Sequence, residues 1–345
     1  MIHTQIRTSQ GECKITVNGS FSDLKTSLKK RQAVVITDSN VHSLYKNLLS
    51  GLDLIELEPG EGNKSLATIQ SLYDSFLDLG VDRSTLLIGL GGGVVCDLTG
   101  FAASSYLRGV PFAFVPTTLL AQVDAALGGK NGVNLNGYKN LVGVFRQPEF
   151  VFIDFSFLDT LPKPEKLNGM AEIIKHALIA GISQFQELEQ NWPRLLSLDK
   201  ATVEKTVSDS IAIKSRIVES DMFEKGPRRI LNFGHTLGHA IEREGMFKHG
   251  EAVSLGMVLA ARLSVSLGML SGSDAGRIQS LLEHVGLPTQ ARLFPARILD
   301  AVKRDKKRQQ KDVHFVLLSG IGRTEIKKIS FRQLEEHIHD LCQPG

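Results

Sequence analysis

Short β-branched and apolar runs alternate with amphipathic stretches through the first half of the chain. AVVITDS (Ala33–Ser39) predicts a buried strand, and Ser65–Leu79 carries the spacing of an amphipathic helix. TLLIGLGGG (Thr85–Gly93) predicts a strand running into a glycine turn, while FAFVPTT and FVFIDFSFL predict two further strands. Strand, helix and strand in rotation imply a parallel sheet with helices on its faces. From Pro164 the pattern changes. PEKLNGMAEIIKHALIAG, KATVEKTVSDSIAIKSRIVESD, HTLGHAIERE and GEAVSLGMVLAARLSVSLGML all read with helical periodicity, and one late strand is expected at VHFVLLSG. LPKP interrupts both patterns, so a boundary is expected near residue 162, with an α/β domain over 1–162 and a mainly helical one over 163–345. Neither an internal repeat nor a low-complexity segment is evident.

Composition adds limits. A chain of 345 residues, 42% hydrophobic and 22% charged, has the make-up of an ordinary globular protein with about two domains. A net charge of +3 is too small to argue for nucleic acid or an anionic membrane surface, so anion recognition is expected to be local. Cys13, Cys96 and Cys342 are far apart and form no C-x-x-C, which indicates neither a disulfide framework nor a thiolate zinc site and fits a reducing cytosol. The N-terminal MIHTQIRTSQ has no apolar leader region, and Pro116, Gln122 and Asp124 break the most apolar stretch. The expectation is a cytoplasmic protein without a membrane segment.

GLGGGVVCDLTG follows a strand and opens a helix, where backbone N–H groups can cradle a pyrophosphate at the positive helix end. The usual dinucleotide fingerprint would need glycine where Val94 stands, so the alternative is a tight turn that needs glycine for its geometry. Asp97 follows at once. A carboxylate suits a phosphate site poorly unless it meets a sugar hydroxyl.

FGHTLGHA (Phe233–Ala240) sets His235 and His239 four residues apart on one helix face, and His249 follows within fifteen residues. The zinc-protease Glu after the first His is missing. Three histidines are harder to dismiss than one, and a catalytic zinc site commonly uses three protein ligands. Glu172 is the candidate carboxylate, because it lies among Met170, Ala171, Ile173 and Ile174, where an unpaired charge is costly. The alternative is an exposed Glu on an amphipathic helix. Lys175 shares its face, and His176 competes as a ligand or supports the site from behind.

Taken together, GLGGGVVCDLTGF, VPTTLLAQVDAALGGKNGVN, KNLVGVF, FLDTLP, NGMAEIIKHALI, RRILNFGHTLGHAIE and HGEAVSLGM resemble the motifs of 3-dehydroquinate synthase, in order and spacing, from about Glu61 to Asp305–Lys307. The resemblance implies a homodimer whose chain has a Rossmann-like NAD-binding α/β domain, a mostly α-helical metal-binding domain, and an active site between them. It also implies conversion of 3-deoxy-D-arabino-heptulosonate 7-phosphate to 3-dehydroquinate and phosphate, in the route to aromatic amino acids. The implied metal ligands are Glu172, His235 and His249, holding zinc or cobalt. NAD is implied at Glu61 and Lys64, at Gly93, Val94, Val95, Cys96 and Asp97, at Thr117, Thr118, Lys130 and Lys139, and at Phe157, Leu158, Asp159 and Thr160. Substrate is implied at Asp124, Lys130, Asn140, Lys175, Lys214, Arg228, Asn232, His239 and Lys306, with Arg108 supplied to the partner subunit's site.

The chemistry is coherent. A cation beside a secondary alcohol lowers the pKa of the hydroxyl and prepares it to lose hydride to NAD. The ketone so formed acidifies the neighbouring C–H, phosphate leaves, hydride returns, and ring opening with an intramolecular aldol step closes the carbocycle. A substrate with a carboxylate and a phosphate needs fixed cations, which Lys130, Lys175, Lys214, Arg228 and Lys306 supply. KRDKKRQQK (Lys303–Lys311) otherwise reads as a solvated basic segment, in which Lys307 competes with Lys306. The chain departs from the family pattern at Cys96 for Gly, Asn131 for Thr, Pro227 for Leu, and in SDMFEKGPRR, which keeps Asp221 and Glu224 of a more acidic motif. Rival readings are another sugar phosphate cyclase, a metal-dependent polyol dehydrogenase of similar fold, or a non-catalytic binding protein. His239, Asn232 and Lys306 together favour the dehydroquinate branch.

Overall fold

The computed structural model describes residues 1–9, 11–28, 31–305 and 312–341. They fall into two compact units. Met1–Glu165 and Val207–Phe223 form the first, and Lys166–Thr206 with the chain from Glu224 forms the second.

The first unit is built on a seven-stranded sheet. Its strands are β1 (Ile2–Thr8), β2 (Gly11–Val17), β3 (Ala33–Asp38), β4 (Asp53–Leu57), β5 (Leu86–Gly91), β6 (Phe112–Pro116) and β9 (Phe150–Ile153), while β7 (Lys130–Leu135) and β8 (Tyr138–Phe145) make a separate hairpin. The order is β1-β2-β9-β6-β5-β3-β4, parallel except for the β1–β2 pair. Strands β3, β5 and β6 bury nearly every residue, as parallel strands covered on both faces do. Helices α1 (Phe21–Leu28), α2 (Ser39–Leu49), α3 (Leu66–Asp78) and α4 (Gly93–Ser105) provide the crossovers. Their starts are chemically marked. Asp38 accepts from Val41 N at 3.0 Å and Ser65 Oγ from Thr68 N at 3.2 Å, satisfying first-turn donors.

The order β4-β3-β5-β6-β9 reverses direction between β3 and β5. At such a switch point the carboxyl ends of parallel strands leave a crevice in which α/β proteins take their ligands.

Two readings of the sequence need correction. FVFIDFSFL is a strand only over Phe150–Ile153, because Asp154 accepts from Ser156 N at 2.9 Å and from Phe21 N at 2.8 Å and turns the chain. The late strand is not alone either: β10 (Asp312–Gly320) pairs antiparallel with β11 (Arg323–Ser330).

The second unit is otherwise helical: α5 (Lys163–Ala180) for most of its length, α6 (Ile182–Leu196), α8 (His235–Glu242), α9 (His249–Ser266), α10 (Gly272–Val285), α11 (Pro295–Asp305) and α12 (Phe331–Leu341). Helix α7 (Lys200–Ser220) starts in this unit and joins the first from Val207. A buried apolar cluster, including Leu237, Leu255, Leu259, Leu263, Phe315 and Leu334, joins α8, α9, α12 and β10. Among the described residues no helix is long and apolar enough to cross a membrane.

Candidate functional site

Glycines decide how the helices of the second unit meet. A Cβ on Gly256 would overlap Gly234 O, and one on Gly238 would stand 2.9 Å from Ala252 O, so α8 and α9 approach backbone to backbone. At the start of α9, a Cβ on Gly250 would lie 2.5 Å from Asn168 Cα, and Gly250 N donates to Asn168 Oδ1 at 3.0 Å. That bond ties α9 to α5 one turn before Glu172. His235 at the head of α8 and His249 at the head of α9 are therefore brought to Glu172.

His235 Nε2 and His249 Nε2 each lie 3.4 Å from Glu172 Oε1, and one ligand atom from each of the three residues lies within 4.8 Å of the others. His235 Nδ1 is 3.1 Å from Phe233 O; a carbonyl only accepts, so Nδ1 carries a proton, and Nε2 is the ring atom turned to Glu172. His249 Nδ1 stands 3.5 Å from Glu242 Oε2. Glu172 is fully buried; its Oε2 meets the Lys175 ammonium, and Oε1 is the oxygen that both imidazoles approach. Burial alone would raise its pKa, but the Lys175 ammonium and the two imidazoles hold it well below the usual carboxylate range. Burial likewise opposes charge on His249, yet Glu172 and Glu242 push it up to about 9. Two imidazole nitrogens and a buried carboxylate oxygen are the donor set of a three-ligand zinc-type site.

The residues expected near substrate are found in part. Lys175 pairs with Glu172, and the His239 ring packs edge-on to His235 at 5.2 Å, on the exposed side of α8. Arg228 is buried, and the Asn232 amide donates to Glu224. Glu224 stands out in the sequence only as a remnant of an acidic motif, whereas the structure sets its carboxylate on a predicted site residue. In the first unit, Lys214 Nζ donates to Asp124 Oδ1 and Asp124 O, both at 2.6 Å. Lys130 opens β7 and is exposed. Arg108 is exposed in a left-handed backbone, φ 65°, after Leu107 at 49°. Lys306 and its rival Lys307 lie outside the described residues.

The residues expected at NAD share one edge of the sheet. Glu61 and Lys64 follow β4, Gly93 to Asp97 follow β5, Thr117 and Thr118 follow β6, and Phe157 to Thr160 follow β9. These strands are parallel, so all four groups stand at carboxyl ends. The head of α4 has no side-chain cap, which leaves its first N–H groups available to an anion. A Cβ on Gly92 would come within 3.1 Å of Thr118 Cγ2, and one on Gly93 within 3.1 Å of Ala125 Cβ, so the turn admits only glycine-sized residues without adjustment. Asp97 is raised by burial more than the Lys64 ammonium beside it lowers it. Cys96 is buried behind the turn, and burial pushes its thiol up, so it packs rather than reacts. Tyr45 meets Thr160 Oγ1 at 2.6 Å and packs edge-on to Phe157, which fixes that strand end. Lys139 stands 3.8 Å from Glu61.

Periodicity misses the β7–β8 hairpin that carries Lys130, Lys139 and Asn140. Its signal is Asn136-Gly137, with φ of 51° and 77°, the two left-handed residues of a tight hairpin turn.

A parallel-sheet unit with an open glycine turn at its carboxyl edge and a helical unit with a buried His–His–Glu cluster define a class of α/β enzymes built for a dinucleotide and a metal. Two family models cover most of the chain: 3-dehydroquinate synthase N-terminal over residues 54–168 and 3-dehydroquinate synthase C-terminal over 169–308. A 3-dehydroquinate synthase from Geobacter sp. (strain M21) is 45% identical over 310 residues, covering 86% of each chain. Among solved structures, a 2-epi-5-epi-valiolone synthase from Streptomyces hygroscopicus subsp. jinggangensis, with NAD+ and Zn2+ bound, is 26% identical with a TM-score of 0.87, over 95% of this chain and 96% of that one. A 2-deoxy-scyllo-inosose synthase complexed with carbaglucose-6-phosphate, NAD+ and Co2+ is 26% identical with a TM-score of 0.83, over 98% of this chain and 100% of the other. The chain belongs to the 3-dehydroquinate synthase family, enzymes of the carbon–oxygen lyase type.

Proposed function

We propose that the chain converts 3-deoxy-D-arabino-heptulosonate 7-phosphate to 3-dehydroquinate and phosphate with Glu172, His235 and His249 as ligands of a divalent metal, zinc or cobalt, and with NAD along the carboxyl ends of β4, β5, β6 and β9. The observation that carries this reading is the fully buried Glu172 carboxylate, with two imidazole Nε2 atoms at 3.4 Å from one oxygen and the Lys175 ammonium on the other. The metal, when bound, supplies Lewis acidity at the substrate's hydroxyl, and NAD supplies a temporary acceptor for its hydride.

The chain's own residues do the rest. Phe233 O keeps the proton of His235 on Nδ1, so Nε2 stays a donor of electrons. Lys175 keeps Glu172 ionised. Lys130, Lys175, Lys214, Arg228 and Lys306 are assigned to the substrate's carboxylate and phosphate, where fixed cations cost no reorganisation at the moment of reaction. Asp124, held by Lys214, and Asn140, Asn232 and His239 are assigned to its hydroxyl and phosphate oxygens. Glu61, Lys64, Thr117, Thr118, Lys139 and the Gly93–Asp97 and Phe157–Thr160 turns are assigned to NAD. The chain works as a cytoplasmic homodimer in which the exposed Arg108 serves the partner's site.

The test uses metal-loaded protein, the heptulosonate phosphate and NAD at less than one equivalent. Phosphate and 3-dehydroquinate should form together over many turnovers without net NADH. Net NADH from a polyol, or no product from fully metal-loaded protein, would refute the proposal. Sedimentation of the purified protein checks the dimer.

A further inference from the structure

Asn134, on β7, sits at the centre of a closed ring of contacts in the first unit. Its Nδ2 donates to Glu61 Oε1 at 2.8 Å. Its Oδ1 accepts from Asn140 N at 2.9 Å, and its own backbone N donates to Lys64 O at 2.8 Å. Lys64 Nζ closes the ring on Asn140 Oδ1. Asn134 thus takes part in three of these contacts, one each with Glu61, Asn140 and Lys64. An additional backbone bridge between Ser65 and Asn134 lays β7 along the segment that precedes α3.

The ring joins groups with different assignments. Glu61 and Lys64 belong to the stretch after β4 assigned to NAD, and Asn140 lies across the hairpin among residues assigned to substrate. Asn140 has a left-handed backbone, φ 52°, which a non-glycine residue adopts at a cost and keeps only when its surroundings hold it. Asn134 Oδ1 supplies that hold through the Asn140 amide. The exposed Glu61 carboxylate has wide rotamer freedom, and an amide donor at 2.8 Å narrows it. An amide side chain donates to a carboxylate through its NH2 while accepting from a backbone N–H through its separate carbonyl oxygen.

We propose that Asn134 is a positioning residue that sets Glu61 for NAD with its NH2 group and Asn140 for substrate with its carbonyl, so that the two bound molecules are held in register through one side chain. This rests on the reading of Glu61 as an NAD contact and of Asn140 as a substrate contact.

The two functions separate chemically. Asn134→Asp keeps the acceptor for Asn140 N but loses the donor and turns a carboxylate toward Glu61. It should weaken NAD binding by about tenfold or more, the scale of a lost hydrogen bond to a charged group, while KM for the heptulosonate phosphate at saturating NAD changes far less. Glu61→Gln removes the repulsion and restores a donor–acceptor pair, so in that background Asn134→Asp should cost little NAD affinity beyond what Glu61→Gln alone costs. A merely structural role would give no such rescue. Asn134→Ala should raise both the NAD dissociation constant and substrate KM; if it folds poorly, the double variant combining Asn134→Asp with Glu61→Gln still decides.

NAD affinity is read by titration calorimetry on metal-loaded protein, with Glu61→Ala alongside. If Asn134→Asp binds NAD like the parent while Glu61→Ala does not, the proposal fails and the reading of Glu61 stands. Parent-like binding by both variants overturns the reading of Glu61 itself. A penalty for Asn134→Asp as large in the Glu61→Gln background as in the parent also overturns the proposal.

Discussion

In the helical unit three side chains from three helices converge on one buried point, whereas along the sheet edge the groups meant for a ligand are spread over four strand ends and are largely backbone. The cluster on Glu172 is concentrated in charge: an ionised carboxylate lies out of water with cationic and imidazole neighbours as its counterweight. The sheet edge is concentrated in shape, with glycines that admit a ligand and an uncapped helix head that presents N–H groups. Under the proposed function the first takes a small hard cation and the second a long dinucleotide. A single substitution should therefore abolish the first but only weaken the second.

Ligand loss should give the largest effect. His235→Ala removes one of three ligands, and a Lewis-acid contribution of several kcal/mol then translates into a fall in kcat of roughly a thousandfold or more, with metal content near zero by elemental analysis. His239→Ala should lose comparable activity while keeping its metal. Equal metal loss in both would break the division of labour between these neighbours.

The next effect is pH. His249 holds a proton up to about 9 in the metal-free fold, and a metal must displace it. Metal affinity should fall about tenfold per unit as pH drops below 9 on this account, read by competition with a chromophoric chelator, while NAD binding to the same protein shows no such slope. The sign reverses for metal-free stability. Because the folded pKa is raised above 6.5, the His249 contribution is fully present below that value and is lost as pH rises through about 9.

Steric changes are smaller. Gly256→Ala sets a methyl against Gly234 O, a backbone atom that cannot swing away, and should cost about 1–3 kcal/mol of stability and loosen the metal site. Gly92→Ala meets only the Thr118 methyl and should lower Tm less, with its effect on NAD titration instead. Smallest is Asn131→Thr, which gives up amide bonds to Gly129 O at 3.2 Å and Arg146 O at 2.9 Å; about 1 kcal/mol by thermal unfolding, with unchanged metal affinity, is expected.

The comparison also explains what the sequence reveals. Strands β3, β5 and β6 are legible because burial on both faces makes them unbroken apolar runs, and α5 and α9 because their runs, 18 residues each, are too long for strands. Glu172 is legible because a carboxylate between Ala171 and Ile173 demands a partner. The pairing of Asn134 with Glu61 is not, since it spans 73 positions and depends on a register between a hairpin and a loop. Cys96 illustrates the same limit from the other side: its place in the glycine turn suggests contact with a ligand, while its side chain is buried behind the turn. The second strand of the late hairpin, β11, escapes notice because Arg323–Ser330 is mostly exposed and polar.

Helix α7 carries a consequence for how the protein is made. The sheet unit needs Val207–Phe223, which the ribosome delivers about 60 residues after Glu165. At ~5–20 residues per second that is a wait of roughly 3–12 s. During it Asp124 has no Lys214 and Phe145 has no Phe223 to pack on. Through this interval the nascent sheet unit lacks both contacts, and a gene fragment cut after residue 165 would encode a sheet without them.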